Sequence, residues 1–263
     1  MSRIRLFYTI ISLIIVLFCF LMIIIDYVNF SLYLIISLSG IFLIFYMRVI
    51  ELAKINRVKN IYFQKCYPQK FLTEHDELMN GFILSQKQIH KNQLFKITVY
   101  LNLGNVNQAK QILDALTVKT AQLSIAELYW LLIGWFNYFE EIDDLEKMEI
   151  FFEKIKMLNN ELPQTFKQKT LNNYLKIQAR YFIKSGIYLD NAETVFIDSL
   201  KNRKYFINVI DALYYLGIVA FKQNKKELAL ERLNFVVQSQ LKELSIYHKS
   251  LDLVELISNE PTI

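Results

Sequence analysis

The chain has 263 residues, enough for one or two domains with a sizeable hydrophobic core. Hydrophobic residues make up 54% of it and the mean hydropathy is +0.24, whereas six Gly and three Pro supply few turns. This composition argues against an all-β fold, a disordered chain and a glycine-rich nucleotide loop. The formal net charge of +5 fits a nucleic-acid partner, an anionic membrane or neither, so the position of the charges decides.

Two long apolar segments open the chain. Residues 6–25 are twenty residues without charge or proline, and residues 30–47 are eighteen uncharged residues. At a rise of about 1.5 Å per residue the first covers a hydrocarbon core of about 30 Å, and the second is close to the shortest span that can. A cleaved signal peptide is the alternative, but its apolar region is usually about 7–15 residues long. We therefore predict an uncleaved transmembrane hairpin in residues 1–47.

Basic residues flank these segments unevenly. Residues 48–70 carry a formal charge of +5, compared with +1 for residues 1–47 and −1 for residues 71–263. Because Lys and Arg favour the cytoplasmic side of a span, both termini are predicted to be cytoplasmic at the plasma membrane. The membrane then accounts for the excess charge, and no nucleic-acid partner is predicted. The predicted contacts with anionic lipid headgroups are Arg48, Lys54, Arg57 and Lys59.

The remainder of the chain has a helical pattern. Pro68 ends an amphipathic stretch, and we interpret residues 48–70 as a basic juxtamembrane helix and linker. Beyond it, apolar residues recur at spacings of three and four, and Ser124 followed by Glu127 is typical of a helix N-cap. The predicted fold class is all-α, with the transmembrane hairpin followed by a cytosolic helical domain at residues 71–263.

Four stretches of this domain resemble one another: 94–116, 127–158, 174–200 and 211–238. In the last of them, Gly217 and Ala229 lie twelve residues apart, on either side of a turn at Asn224. Small residues at such positions let two helices joined by a short turn approach closely. Helix pairs that repeat at intervals of about 34 residues indicate a solenoid.

With these spacings, residues 90–240 resemble the tetratricopeptide repeat family, most clearly in the first and fourth stretches. The resemblance implies a right-handed superhelix of helix pairs, an α-α solenoid whose concave face binds a peptide or protein segment without catalysis. An irregular all-α bundle is the alternative, and core packing is the alternative role for the aromatic helix around Trp130. By the resemblance, the first helix of each pair faces the concave side. The ligand contacts so implied are Tyr100, Trp130, Asn137, Tyr174, Gln178, Tyr181, Tyr214 and Tyr215.

The sequence contains no pattern that predicts catalysis or a cofactor. Cys19 and Cys66 are too few for a disulfide framework, the three His are far apart, and nucleophile motifs and phosphate-binding loops are missing. The acidic stretch 140–149 lacks the loop glycine of a calcium site and is interpreted as a helix start. We therefore predict no catalytic residues, no cofactor and no metal site.

These predictions describe a membrane-anchored helical-repeat protein. We expect it to bind a protein or peptide partner at the cytoplasmic face of the membrane, as a scaffold, adaptor or regulator rather than as an enzyme. The alternative is an accessory subunit of a membrane complex for secretion, transport or immunity, in which the helical domain is a structural brace. The abundance of Ile, Lys, Asn, Phe and Tyr is typical of an AT-rich bacterial genome.

Overall fold

The computed structural model describes residues 3–24, 30–81, 85–201 and 205–259. All regular structure within these ranges is helical, which confirms the predicted all-α class. One 3₁₀ turn, Thr120–Gln122, accompanies the α-helices in this part of the chain. The α-helices are α1 Arg3–Ile24, α2 Phe30–Phe63, α3 Pro68–Asn80, α4 Gln86–Asn102, α5 Val106–Thr117, α6 Ile125–Glu141, α7 Leu145–Glu161, α8 Gln164–Ser185, α9 Leu189–Lys201, α10 Phe206–Lys222, α11 Lys226–Gln238 and α12 Ser245–Asn259.

The chain divides into two compact units. The first comprises residues 1–60 and 73–86, and the second comprises residues 61–72 and 87–263. The last turn of α2 and the start of α3 therefore belong to the second unit. This grouping differs from the predicted domain boundary at residue 71.

The first unit exposes large apolar side chains along α1 and along the N-terminal half of α2. Phe42 and Phe45, for example, are 69% and 66% exposed. Within the described residues, no helix has both the length and the hydropathy that a membrane span requires. Residues 26–29, the predicted connection between the two spans, lie outside the described residues. The transmembrane hairpin therefore stays a prediction.

Four turns of the second unit share one backbone geometry. They join α4 to α5, α6 to α7, α8 to α9 and α10 to α11, and each contains a residue with positive φ: Gly104, Asp143, Gly186 and Asn224. The N–H of this residue donates to a carbonyl three residues earlier, and the next N–H donates to a carbonyl five residues earlier. These are the two hydrogen bonds of a Schellman motif, whose positive φ suits Gly, Asn and Asp. The motif recurs after 39, 43 and 38 residues.

Small residues bring paired helices close together. A Cβ added at Gly217 in α10 would lie 2.6 Å from Cγ of Leu233 in α11, so the close approach predicted at Gly217 is present. Ala192 and Ala229 are fully buried in α9 and α11. One hydrophobic cluster runs from α4 to α8, a second from α8 to α10 and a third from α10 to α12, so the core continues from pair to pair.

Candidate ligand-binding cavity

A cavity of about 910 Å³ lies within the second unit. Its wall is formed by the last turn of α2 and by α4, α6, α8, α10 and α12, together with short adjoining turns. The second helix of each pair contributes no lining residue in the described part of the chain. This follows from the four turns, because each reverses the chain and places alternate helices on the same side. The volume is at the upper end of the range of ligand pockets, about 300–1,000 Å³.

Half of the predicted ligand contacts line this cavity, namely Trp130, Asn137, Tyr214 and Tyr215. The Oδ1 atom of Asn137 is buried and has no hydrogen-bond partner within the described residues. A buried acceptor without a donor costs about 1–3 kcal/mol, so folding alone does not explain the amide at this position.

The other four predicted contacts lie elsewhere. Tyr100, Tyr174 and Tyr181 pack against the largest hydrophobic cluster, and Tyr181 stacks on Phe152 of α7 at 4.5 Å between ring centroids. Helix phase explains the difference: residues 173, 176, 180 and 184 of α8 line the cavity. Tyr174 and Tyr181 are displaced from that stripe by about 100° around the helix, and Gln178 lies on the opposite side.

Charged side chains that sequence reasoning did not single out as ligand contacts form much of the wall. Their signal in the sequence is the spacing of four residues within α8 and of three residues within α12. These side chains are Glu140, Glu141, Asp143, Lys176, Arg180, Lys184, Asp211, Lys222, Lys249 and Asp252.

Glu140 is the centre of a buried network that joins three of the wall helices. The Arg180 guanidinium forms an ion pair with the Glu140 carboxylate, and Nε of Arg180 donates to Oε1 over 3.1 Å. The Tyr215 hydroxyl donates to the same oxygen over 2.9 Å. The guanidinium also lies over the rings of Phe136 and Tyr215, 5.5 and 5.4 Å from their centroids. Burial raises the pKa of Tyr215 well above its usual value, which keeps its hydroxyl available as a donor.

Two further carboxylates form ion pairs at the edge of the wall. Glu141 accepts hydrogen bonds from the Ser245 hydroxyl at 2.6 Å and from the Lys249 ammonium at 2.8 Å, both in α12. Asp143 accepts from Lys184 of α8 at 2.6 Å, and this contact lowers the pKa of Asp143. The acidic stretch therefore binds neighbouring helices in addition to starting α7 at the N-cap Asp144, whose side chain accepts from the Lys147 N–H.

An aromatic wall faces the cavity at the end of α2. Tyr62, Phe63 and Phe95 are in mutual ring contact at 5.0–5.7 Å between centroids, and the Asn102 amide donates to the Tyr62 hydroxyl. Burial raises the pKa of Tyr62, and the Asp211 carboxylate adds to that rise. Asp211 lines the same cavity as these rings, and the described residues provide it with no ion pair or hydrogen bond.

The predicted lipid contacts belong to the first unit. Lys54, Arg57 and Lys59 are exposed on α2, and the side chain of Arg48 lies outside the described part of the structure. Among the described residues, no group of three or more His, Cys, Asp and Glu is placed to hold a metal ion. No family model matches this chain, and neither the curated proteins nor the solved structures give a significant match.

Proposed function

We propose that this chain is a membrane-anchored helical-repeat protein that binds a peptide or protein segment in its cavity, without catalysing a reaction. The observation that carries the proposal is the cavity itself. Its wall is built from alternate helices and combines aromatic rings, paired charges and an unsatisfied amide. Apolar surface with a few placed polar groups is the usual composition of a binding site, and a peptide offers both chemistries.

The recurrent turns support a repeat architecture like the one that the resemblance to tetratricopeptide repeats implies. Four Schellman motifs recur after 39, 43 and 38 residues, and each joins two helices that contact one another or a common third helix. Such helix pairs stack because one pair alone leaves apolar surface uncovered. In this proposal the helices that line the cavity form the concave face of the solenoid.

The exposed apolar surface of the first unit supports the membrane anchor. Side chains that are about half exposed or more occur from Ile10 to Leu21 in α1 and from Leu34 to Tyr46 in α2. Large contiguous apolar patches are rare on monomeric soluble proteins and commonly mark a membrane or protein contact. The exposed bases Lys54, Arg57 and Lys59 then favour the anionic cytoplasmic leaflet, which makes the chain an adaptor or regulator at that surface.

Site-specific photocrosslinking in cells tests the binding role. The photoreactive residue p-benzoylphenylalanine replaces Trp130 in the cavity wall or, as the matched control, Val118, which is 88% exposed outside the cavity. We expect a discrete crosslinked partner from position 130 only. Crosslinks from position 118 alone, always to the same membrane subunits, would instead support a structural brace and contradict the proposal.

Labelling of an introduced cysteine tests the membrane placement. The native Cys66 is 1% exposed and burial raises the pKa of its thiol, so Val118→Cys is introduced as an accessible thiol in the second unit. We expect a membrane-impermeant maleimide to label this variant in inverted vesicles but not in intact cells. Labelling in intact cells would overturn the cytoplasmic placement, and recovery of the chain in an alkaline carbonate supernatant would overturn the integral anchor.

A further inference from the structure

The carboxylates of the cavity differ in how their charge is balanced. Glu140, Glu141 and Asp143 each form an ion pair with a basic side chain of α8 or α12. Asp211 and Asp252 have no such pair within the described residues, and Asp252 is exposed whereas Asp211 is partly buried. A partly desolvated carboxylate without a counter-ion gains more from a ligand cation than one that is already paired.

The surroundings of Asp211 favour a cation over other ligand groups. Asp211 lies on the cavity face of α10, one helical turn before Tyr214 and Tyr215. Tyr62 and Tyr214 line the same cavity as Asp211. Burial raises the pKa of both phenols and the Asp211 charge adds to each rise, so both phenols stay neutral. Neutral aromatic rings attract cations through their faces and add no second negative charge.

The one basic residue of α10 that lines the cavity, Lys222, does not neutralise Asp211. Lys222 is eleven residues further along, which is about 16 Å on a helix with a rise of about 1.5 Å per residue. Of the other basic residues in the wall, Arg180, Lys184 and Lys249 pair with Glu140, Asp143 and Glu141, and Lys176 forms no ion pair with Asp211 within the described residues. The partly buried Asp211 carboxylate therefore stays without a counter-ion.

We propose that Asp211 is the subsite for a positively charged group of the bound peptide, a Lys or Arg side chain or a free amino terminus, held against Tyr62 and Tyr214. This inference rests on the proposed function. It adds the charge of the ligand and the position in the cavity where that charge binds.

Binding to an array of random-sequence peptides tests the subsite. Full-length protein in detergent micelles is applied as wild type, Asp211→Asn, Asp211→Lys and Asp114→Asn, the last being a control carboxylate exposed on α5. We expect wild type and Asp114→Asn to favour peptides that contain Lys or Arg or, where the amino terminus is the bound cation, peptides whose amino terminus is free. Asp211→Asn should bind these peptides about tenfold more weakly, the loss typical of one charge-assisted hydrogen bond.

The charge-reversal variant Asp211→Lys distinguishes a change in ligand preference from a loss of binding caused by misfolding. If Asp211 selects the cation, Asp211→Lys should enrich Asp and Glu, a new preference that an unfolded protein would not show. Duplicate arrays synthesised with acetylated amino termini separate the two sources of the cation, because these peptides lack the terminal amine but keep their Lys and Arg side chains.

The outcomes separate this inference from the proposed function. Peptide binding that neither favours Lys and Arg nor falls on acetylation of the amino terminus would overturn the subsite and leave the cavity as a binding site. So would a preference for the cation that Asp211→Asn leaves intact or that Asp252→Asn removes instead. A wild-type protein that binds no peptide and gives no crosslink from position 130 would overturn both.

Discussion

The carboxylate of Glu140 in α6 accepts a hydrogen bond from the hydroxyl of Tyr215 in α10, 75 residues further along the chain. Arg180 of α8 binds the same carboxylate, so one acidic side chain links three helices that belong to different pairs. Contacts between side chains that are distant in the sequence thus hold the helices of the cavity wall together.

Replacing Glu140 with Gln should destabilise the fold by about 2–4 kcal/mol, because Arg180 then keeps a largely buried charge without its partner. The control is Glu153→Gln, which removes an exposed pair with Lys156 and should cost about 0.5 kcal/mol or less. Denaturant unfolding followed by circular dichroism measures both. Equal losses in the two variants would show that the network contributes no more than a surface ion pair.

Gly217→Ala should destabilise by about 1–2 kcal/mol, because overpacking against Leu233 exceeds the gain in helix propensity. Gly134→Ala is the matched control, since its added Cβ would lie 3.0 Å from Cδ2 at the end of the Leu113 side chain. That variant should be neutral or slightly more stable. Thermal unfolding of the two variants in the same detergent compares them directly, and a stable Gly217→Ala would contradict the close approach of α10 and α11.

Acid should weaken the fold in part through Glu127. Its burial raises the pKa, but hydrogen bonds from the Ser124 side chain and backbone, together with His90 at 3.4 Å, outweigh burial and lower it. Because the folded pKa is below the unfolded value of about 4.3, ionised Glu127 stabilises the fold above that pH and the contribution is lost as pH falls through the folded pKa.

The contribution of ionised Glu127 to stability is measured by comparing the free energy of unfolding at pH 7 with that at about pH 3.5. Wild type should lose more stability between the two than Glu127→Gln, whose side chain does not titrate. Glu227→Gln, an exposed acidic residue in the first turn of α11, should follow wild type. Identical losses in all three proteins would rule out Glu127 as a source of acid sensitivity.

Asn137→Leu should keep or raise the unfolding temperature, because the buried Oδ1 has no partner in the described structure. The same variant should lose the crosslink from position 130 if the amide serves a ligand. Asn102→Leu is the control: it removes the hydrogen bond to the Tyr62 hydroxyl and should lower the unfolding temperature by about 2–4 °C. A comparable fall in Asn137→Leu would mean that its amide supports the fold instead.

The sequence predicts the local features of the fold well. Asn224 marks a turn because a positive φ restricts the residue type, and Gly217 marks a close helix contact because a side chain would not fit. The positive φ and the lack of space for a side chain each restrict the residue type at a single position. They can therefore be recognised in the sequence without knowing which distant residue packs against that position.

The composition of the cavity is harder to predict, because it depends on rotation about each helix axis. A difference of one position on α8 separates Asn173, which lines the cavity, from Tyr174, which packs into the core. The partners of Glu140 and Glu141 come from α8, α10 and α12, and no spacing near the acidic stretch indicates them.

The last turn of α2 has a practical consequence for any shortened version of the protein. Tyr62 and Phe63 belong to the aromatic wall, and Phe63 contacts Tyr205 at 4.8 Å between ring centroids. A recombinant fragment cut at Phe71, where the apolar and basic segments end, would leave Phe95 and Tyr205 uncovered and would aggregate or present an altered groove. A screening fragment needs to start upstream of Ile61.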